Sequence, residues 1–277
     1  MNPSFIVIGG MKCGSTSLDY YLKAHPQIAM PKKELDYFSL NYQKGSDWYL
    51  SKFPASCKTE CIFGETSVSY AKFPHHKDVP ARIFTDIPNA KLIYILRDPF
   101  KRLVSHYMHN VYADNEKESL ENILKSKKES SLYVAFSKYF FQIEQYLKYF
   151  DPSRIHILTL EDLSNIELLS AKLNDIFKFL GVKENIVSTE FSQKKQQSEK
   201  KGKKGKAALI ISKFPYYRKF VDIAPEPLKN LYIRLFTTQL AAPKLNDDTK
   251  QRIYDYLSSD TEKLRQFTGR AFESWSI

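Results

Sequence analysis

The residues best placed for chemistry form a glycine-rich turn near the start of the chain, GGMKCGSTS at positions 9–17. Glycines let backbone N–H groups approach an anion closely, and the first turn of a following helix carries partial positive charge. Lys12 adds a mobile cation, and hydroxyl side chains follow it. The turn therefore predicts a site for a phosphate-like dianion, made by Lys12, Cys13, Gly14, Ser15, Thr16 and Ser17.

A second cation follows another apolar run, LIYIL, where Arg97 precedes Asp98. Ligands of open α/β sheets lie beyond the carboxyl ends of the strands, and a guanidinium can hold a phosphate through two hydrogen bonds. Ser105 comes eight residues after Arg97, on the predicted next helix. Arg97 and Ser105 therefore predict a second anion-binding position.

Four short apolar runs indicate the strands that must position these residues, and helical patterns separate the runs. The strands are predicted at 5–8, 61–63, 92–96 and 155–158. After the helix that follows the glycine turn, helical spacing recurs at 80–87, 99–112, 132–150, 166–180, 226–236 and 249–268. Strands alternating with helices indicate an α/β fold with a central parallel sheet covered by helices on both faces.

Composition excludes several classes of protein. The 277 residues are 43% hydrophobic and 26% charged, as in globular proteins and unlike disordered or fibrous ones. No stretch approaches the roughly 20 apolar residues of a membrane span, and the start of the chain has no basic leader. We expect one domain over residues 1–277 with a helical C-terminal part, located in the cytoplasm. The three cysteines, an odd number, favour free thiols and a reducing compartment.

The positive charge is concentrated in one segment. Lys and Arg number 42 against 31 Asp and Glu, a net charge of +11, which favours phosphorylated or polyanionic ligands. Residues 194–206 hold seven lysines, one glutamate and no apolar residue. We therefore expect a flexible lysine-rich loop at about residues 193–206.

These motifs resemble those of sulfotransferases that use 3′-phosphoadenylyl sulfate (PAPS). GGMKCGSTSL resembles the family's 5′-phosphosulfate loop, and KLIYILRDPFKRLVSH resembles its 3′-phosphate segment, with Arg97 and Ser105 at the matching positions. The lysine-rich loop lies where the family has a Lys/Arg-Gly-Lys pattern, which points to Lys203 and Gly205. The resemblance covers about residues 5–182. It implies a three-layer P-loop-like sandwich, PAPS as donor, adenosine 3′,5′-bisphosphate as product, and no metal.

The resemblance also implies the catalytic groups. Sulfuryl transfer needs a base for the acceptor's proton and a cation for the departing phosphate, and the resemblance gives the second role to Lys12. Glu34, in PKKELDYF, matches the proposed base in the Lys-Glu-x-x-Phe-Phe stretch of heparan-type Golgi sulfotransferases. Lys33 is then expected to contact substrate. Glu65, which ends the run CIFGE, is the rival for the base and a second expected substrate contact.

Three features depart from the heparan-type pattern, one of which is that GETSVSY has no proline before its aromatic residue. Thr66 follows Glu65 where that pattern has a lysine, and Ser39 stands where an aspartate often follows the aromatic pair. The resemblance implies that residues at these positions contact the sugar of the acceptor. Because they differ here, we do not expect an acidic glycosaminoglycan acceptor. The predicted acceptor is a hydroxyl of a carbohydrate, glycolipid or small molecule.

Two other functions stay open at this point. A nucleoside or small-molecule kinase could use the glycine turn, but Lys12 precedes Gly14, whereas a Walker A lysine follows the last glycine. Arg97 also stands where magnesium chemistry needs an acidic side chain. A basic nucleic-acid-binding module would account for the charge, but the recognised motifs are absent and we expect no nucleic acid partner. The sequence does not determine the acceptor, the pathway, the oligomeric state, or the choice between Glu34 and Glu65.

Overall fold

The centre of the molecule is a parallel β-sheet. The structure, a computed structural model, describes residues 3–55, 60–113, 115–185, 203–204, 237–238, 243 and 245–277. The strands of the sheet are β1 Phe5–Gly9, β2 Ile28–Ala29, β3 Ile62–Thr66, β4 Lys91–Leu96 and β5 Ile155–Thr159. Their order is β2-β3-β1-β4-β5, and every neighbouring pair is parallel. A separate antiparallel pair joins β6 Lys203–Lys204 to β7 Thr237–Thr238.

Helices connect the strands and flank the sheet. They are α1 Ser15–Lys23, α2 Gly45–Leu50, α3 Val79–Asp86, α4 Pro99–Tyr112, α5 Leu120–Ser126, α6 Leu132–Ala135, α7 Tyr139–Leu147, α8 Leu160–Ser164, α9 Ile166–Leu180 and α10 Asp247–Thr268. A single π-helical turn spans Tyr37–Asn41. The predicted α/β class with helices on a parallel sheet is confirmed.

The two central strands are buried because both of their faces are apolar. Every residue of β1 is buried, and so is all of β4 except Lys91. Between β1 and β3 the packing depends on a missing side chain. A Cβ at Gly64 would lie 2.2 Å from the ring of Phe5, so only glycine lets that ring lie across β3.

The four strands predicted from apolar runs are confirmed, and the structure adds β2, which is too short for a periodicity. One predicted helix, 132–150, is wrong as a continuous element because it breaks between α6 and α7. The carbonyl of Tyr133 accepts from the buried guanidinium of Arg102 at 3.1 Å and from the Ser137 hydroxyl at 2.9 Å. The carboxylate of Asp260 in α10 then caps the start of α7, accepting from the N–H groups of Phe140 and Phe141.

The cysteines do not all behave as predicted. Cys13 is a free thiol, but Cys61 is disulfide-bonded, and Cys57 lies outside the described residues. The prediction of three free thiols is therefore wrong for Cys61, and the cysteines no longer favour a reducing compartment. The cytoplasmic location stays a prediction.

Parts of the predicted organisation fall outside the described residues. In the lysine-rich loop only Lys203 and Lys204 are described, as β6. Gly205 and the predicted helix 226–236 lie outside, and the single domain over 1–277 stays a prediction. Within the described part of the chain, no helix has both the length and the apolar character needed to cross a bilayer.

Candidate active site

The glycine-rich turn lies at the carboxyl edge of the sheet, between β1 and α1. The N–H of Gly10 donates to the carbonyl of Ile95 in β4 at 2.7 Å, which fixes the turn against the neighbouring strand. A Cβ at Gly14 would lie 2.6 Å from the Leu160 side chain. Gly14 also has a φ of 92°, a left-handed conformation that glycine adopts without strain. Both features explain why the turn contains glycine there.

The start of α1 is open to a ligand. Gly14 is the N-cap residue and supplies no side-chain cap, and the uncapped N-terminus of a helix is a favourable place for an anion. Thr16 and Ser17 are exposed, whereas Ser15 is buried. Lys12 is half-buried and adopts a positive φ of 68° within the turn. Lys12, Ser15, Thr16 and Ser17 thus lie together where β1 ends and α1 begins, and their binding of an anion stays a prediction.

Cys13 is placed differently from its neighbours. Its side chain is fully buried, with Sγ 3.4 Å from the Tyr139 hydroxyl. Its N–H donates to the carbonyl of Gly10 at 3.2 Å. Burial raises the pKa of the thiol to about 11, so the side chain stays neutral. Cys13 therefore packs beneath the turn and does not present its side chain to a ligand.

Arg97 lies beside the turn because β4 is the neighbour of β1. It follows the last residue of β4 and is half-buried. The hydroxyl of Tyr139 donates to the carbonyl of Arg97 at 2.8 Å while lying 3.4 Å from Cys13 Sγ. One tyrosine thus links the buried side of the glycine turn, at Cys13, to the main chain of Arg97. Ser105, the other predicted residue of the second position, is half-buried on α4.

Asp98 has a structural role. Its carboxylate is fully buried and caps α4 by accepting from the N–H of Lys101 at 3.1 Å. The other carboxylate oxygen accepts from the N–H and the hydroxyl of Ser276 at 2.8 and 2.7 Å. Both oxygens are therefore used inside the protein, which counts against the metal-binding acid that a kinase would need at this strand end.

Arg102 was not predicted from the sequence. Its guanidinium is fully buried on α4, and Nε donates to the carbonyl of Met11, next to Lys12, at 3.2 Å. A second donor contacts His106 Nδ1 at 3.3 Å, and since a guanidinium only donates, that nitrogen accepts. Burial, with Arg102 as the next cause, lowers the pKa of His106 to about 2. His106 is neutral and structural, and the signal that could have revealed the pair is its four-residue spacing on the apolar face of α4.

Glu34 lies on the other side of the turn, beyond the end of β3. Residues 32–34 are exposed, so Lys33 and Glu34 both face solvent. Glu34 Oε2 accepts from the N–H of Val68 at 3.4 Å. The protein around the carboxyl removes part of its hydration, which raises its pKa, and the hydrogen bond from the Val68 N–H partly offsets this. The predicted base is thus an accessible carboxylate on the flank of the sheet opposite Arg97.

Glu65 is not accessible. The residue is 1% exposed, and its carboxylate accepts from the hydroxyls of Tyr49, Tyr70 and Ser67 at 2.9, 2.8 and 2.9 Å. Burial raises its pKa to about 7, although the three hydroxyl donors act in the opposite direction. The structure therefore does not bring Glu65 to the surface as an acceptor contact, and of the two rival carboxylates only Glu34 faces solvent.

Lys72 is a further cation that the sequence did not single out. The preceding N–H, of Ala71, donates to the carbonyl of Ile8 at 2.9 Å, which places the segment beside the glycine turn. Burial lowers the pKa of Lys72, and the charges of Asp36 and Glu34 oppose that shift. Lys72 is therefore within electrostatic range of the predicted base.

Comparison with known proteins decides the family. The model of the sulfotransferase domain matches residues 2–221. The chain belongs to the sulfotransferase family. The resemblance predicted from the glycine turn and the Arg97 segment is thereby confirmed.

Among curated sulfotransferases, a 112-residue stretch is 45% identical to the membrane-associated sulfotransferase kil1 of Dictyostelium discoideum, covering 39% of this chain and 23% of that protein. The human bifunctional heparan sulfate N-deacetylase/N-sulfotransferase 3 is 32% identical over 200 residues, 65% of this chain and 22% of that protein. Mouse heparan sulfate glucosamine 3-O-sulfotransferase 3B1 is 28% identical over 194 residues, 68% of this chain and 48% of that protein. The chain thus spans between about a fifth and a half of these relatives.

The fold is that of a solved sulfotransferase. The crystal structure of a sulfotransferase from Alicyclobacillus acidocaldarius superposes with a TM-score of 0.68 at 20% identity, covering 100% of both chains. At this identity the similarity supports the fold, and it confirms the predicted sandwich with a central parallel sheet.

Proposed function

We propose that this sulfotransferase moves a sulfuryl group from PAPS to a hydroxyl of a carbohydrate, glycolipid or small-molecule acceptor. The observation that carries the proposal is the pair of cationic positions at adjacent strand ends. The turn with Lys12 and the backbone of Arg97 are both contacted by Tyr139, so one ligand with two anionic groups can reach both.

The residues of the site fit a doubly phosphorylated nucleotide. The uncapped start of α1 and the left-handed backbone at Gly14 suit an anion that approaches the main chain. Lys12 and the hydroxyls of Thr16 and Ser17 would hold the 5′-phosphosulfate end, and Arg97 with Ser105 would hold the 3′-phosphate. Bound PAPS supplies a sulfuryl group activated as a mixed anhydride with phosphate.

In this proposal the protein contributes a base and a cation. Glu34 takes the proton of the acceptor hydroxyl as the hydroxyl oxygen bonds to sulfur. Lys12 neutralises the charge that gathers on the departing phosphate as the bond between sulfur and the bridging oxygen breaks. Desolvation raises the pKa of Glu34, which makes it a better proton acceptor than an ordinary glutamate.

The acceptor side favours an uncharged sugar over an acidic one. The names of two relatives refer to heparan sulfate, which supports a carbohydrate class. In this chain, however, Thr66 is buried, and Ser39 pairs its hydroxyl with that of Ser69 at 2.6 Å. Neither position presents a charge to an acidic glycan. We therefore propose that the acceptor is a neutral glycan, a lipid-linked sugar or a small molecule with a hydroxyl group. As a separate part of the proposal, the protein is located in the cytoplasm.

The proposal is tested first by nucleotide binding. Adenosine 3′,5′-bisphosphate at 100 times its Kd should stabilise the fold by about 2.7 kcal/mol, whereas 5′-AMP, which lacks the 3′-phosphate, should need a far higher concentration. A thermal-shift titration of both nucleotides, with ATP and magnesium alongside, measures this. Equal stabilisation by the two adenosine nucleotides would count against a 3′-phosphate site.

Chemistry is tested with labelled donor. [35S]PAPS is incubated with the protein and a panel of neutral glycans, lipid-linked sugars and heparan sulfate, and with an extract of the native host. Label in an acceptor supports sulfuryl transfer, and its identity sets the acceptor class. Transfer of the γ-phosphate from labelled ATP instead of sulfuryl would support the kinase alternative.

A further inference from the structure

Glu65 is a buried carboxylate that the proposed reaction does not use, and three hydroxyl groups donate hydrogen bonds to it. Oε1 accepts from the hydroxyls of Tyr49 and Tyr70 at 2.9 and 2.8 Å, and Oε2 accepts from the Ser67 hydroxyl at 2.9 Å. A carboxylate only accepts hydrogen bonds. In the ionised form of Glu65, all three hydroxyl protons therefore point inward, toward the carboxylate.

Two of these hydroxyls make a second hydrogen bond. Ser67 Oγ accepts from the N–H of Asp36 at 3.0 Å, and the hydroxyl oxygen of Tyr70 accepts from the N–H of Phe38 at 3.3 Å. Both N–H groups belong to the segment that follows Glu34. Since each hydroxyl gives its one proton to Glu65, its lone pairs are available to these N–H groups.

The loop of residues 34–41, which carries Glu34, needs these hydrogen bonds because part of its backbone has an unfavourable conformation. Asp36 has a φ of 48°, a left-handed conformation that a residue with a side chain adopts at a cost in free energy. The turn then continues into the π-helical turn Tyr37–Asn41. The N–H of Val68, from the same segment as Ser67 and Tyr70, donates to Glu34 Oε2. One segment after β3 thus fixes both the loop and the side chain of the base.

We propose that Glu65 is a positioning residue, whose carboxylate orients the hydroxyls of Ser67 and Tyr70 so that they hold the loop carrying Glu34. Its catalytic consequence rests on the proposed function, because it takes Glu34 as the base. Glu65 acts through the loop and does not touch the acceptor. Its role differs from that predicted for it from the sequence, where it was a rival base or a substrate contact.

Tyr49 provides a matched control. Its hydroxyl donates to the same Glu65 oxygen as Tyr70, but its contact with the loop is through the ring, which stacks on Tyr37 with centroids 4.3 Å apart. Tyr49→Phe therefore removes a hydrogen bond to Glu65 and keeps the stack. Ser67→Ala and Tyr70→Phe each remove a hydrogen bond to Glu65 and an acceptor for a loop N–H.

The experiment compares these three variants by hydrogen–deuterium exchange of full-length protein, in peptides that cover residues 34–41. Loss of one hydrogen bond should speed exchange of the freed amide about tenfold in Ser67→Ala and Tyr70→Phe, and less than about twofold in Tyr49→Phe. Where turnover of an acceptor is available, kcat should fall about tenfold in the first two, with the Kd for adenosine 3′,5′-bisphosphate unchanged. The melting temperatures of all three variants are measured as well, because each variant loses one hydrogen bond to Glu65 and the cost in stability must be separated from the effect on the loop.

Glu65→Gln sharpens the test because it keeps the shape of the side chain. Its amide oxygen can still accept from Tyr70, but its NH₂ group cannot accept from Ser67. Exchange should therefore increase at Asp36 more than at Phe38.

Equal exchange in wild type, Ser67→Ala and Tyr70→Phe would overturn the proposal. So would kcat values that merely follow the melting temperature across Tyr49→Phe and Tyr70→Phe. Faster loop exchange in a protein that transfers no sulfuryl group would instead contradict the proposed function and leave the structural role of Glu65 supported.

Discussion

Two fully buried residues, Arg102 and Glu65, lie on opposite sides of the glycine turn, and they hold the neighbouring backbone in different ways. Arg102 donates directly to the carbonyl of Met11 in the turn. Glu65 reaches its loop through hydroxyl groups, those of Ser67 and Tyr70, which accept from the loop N–H groups. The cation is on the side where the anionic donor is proposed to bind, and the anion is on the acceptor side.

The difference follows from the chemistry of the two groups. A guanidinium carries five N–H donors and can bind several backbone carbonyls at once, whereas a carboxylate has acceptors only. A carboxylate can hold N–H groups that it does not reach only by ordering hydroxyls that both donate and accept. We therefore expect substitutions on the Arg102 side to change nucleotide affinity, and substitutions on the Glu65 side to change turnover and leave nucleotide affinity unchanged.

The largest effect is expected at Lys12, on the donor side. Lys12→Ala should lower kcat by about 10³-fold, because the charge on the departing phosphate loses its cation. Turnover of labelled PAPS measures the loss. Lys23→Ala, at the other end of α1 in an i,i+4 pair with Asp19, is the control and should change kcat less than twofold, about the weight of a surface ion pair. Similar losses in both variants would remove the assigned role of Lys12.

Arg102→Met should destabilise the fold by about 4 kcal/mol, because several buried carbonyl and hydroxyl acceptors lose their donors. It should also weaken binding of adenosine 3′,5′-bisphosphate, since the carbonyl of Met11 is released. Urea unfolding and calorimetric titration measure the two effects. Arg252→Met, at an exposed pair with Asp248, should change neither by much. Unchanged nucleotide affinity in folded Arg102→Met protein would mean that the guanidinium only stabilises the core.

Glu65 should make the free energy of unfolding depend on pH between about 4.5 and 7, a range in which an exposed glutamate has little effect. Its pKa is about 7 in the folded protein against an ordinary value near 4.5, so the folded state binds the proton more tightly than the unfolded state. The resulting stabilisation is present below about pH 4.5 and is lost as pH rises through 7, with a span on the order of 3 kcal/mol.

The measurement is the unfolding free energy of wild type minus that of Glu65→Gln between pH 4 and 8. The difference should fall as pH rises, because the glutamine cannot titrate. Glu144→Gln, an exposed position on α7, should give a difference that is flat across the same range. Parallel curves for wild type and Glu65→Gln would show that Glu65 does not bind a proton in this window.

Glu34→Gln should lower kcat by about 10²-fold, the usual contribution of a general base, and leave the Kd for adenosine 3′,5′-bisphosphate unchanged. Because the base must be ionised and its pKa is raised, wild-type turnover should fall with decreasing pH earlier than for an ordinary glutamate. A pH profile of kcat with calorimetric titration measures both. An equal loss of nucleotide affinity would place Glu34 on the donor side and contradict the division between the two flanks.

Much of the fold, and the residues of the candidate donor site, could be predicted because the signals are local. An unbroken apolar run such as LIYIL indicates a strand buried on both faces, and Gly14 before a run of hydroxyl residues indicates a helix start. The break between α6 and α7 could not be predicted, since it depends on Arg102, about 30 residues away, taking the carbonyl of Tyr133. β2 could not be predicted either, because a strand of two residues is too short to show a periodicity.

The sequence by itself determined β1, β3, β4 and β5, the glycine turn, and the candidate cations and base, because each depends on neighbouring residues. Only the tertiary structure decided which charged groups face solvent. Glu34 and Glu65 are indistinguishable as residue types, yet one is exposed and the other accepts three hydroxyls from residues up to 16 positions away. The burial of a carboxylate and the direction in which neighbouring hydroxyls point depend on how the segments pack in the fold, and they set its pKa and therefore its role.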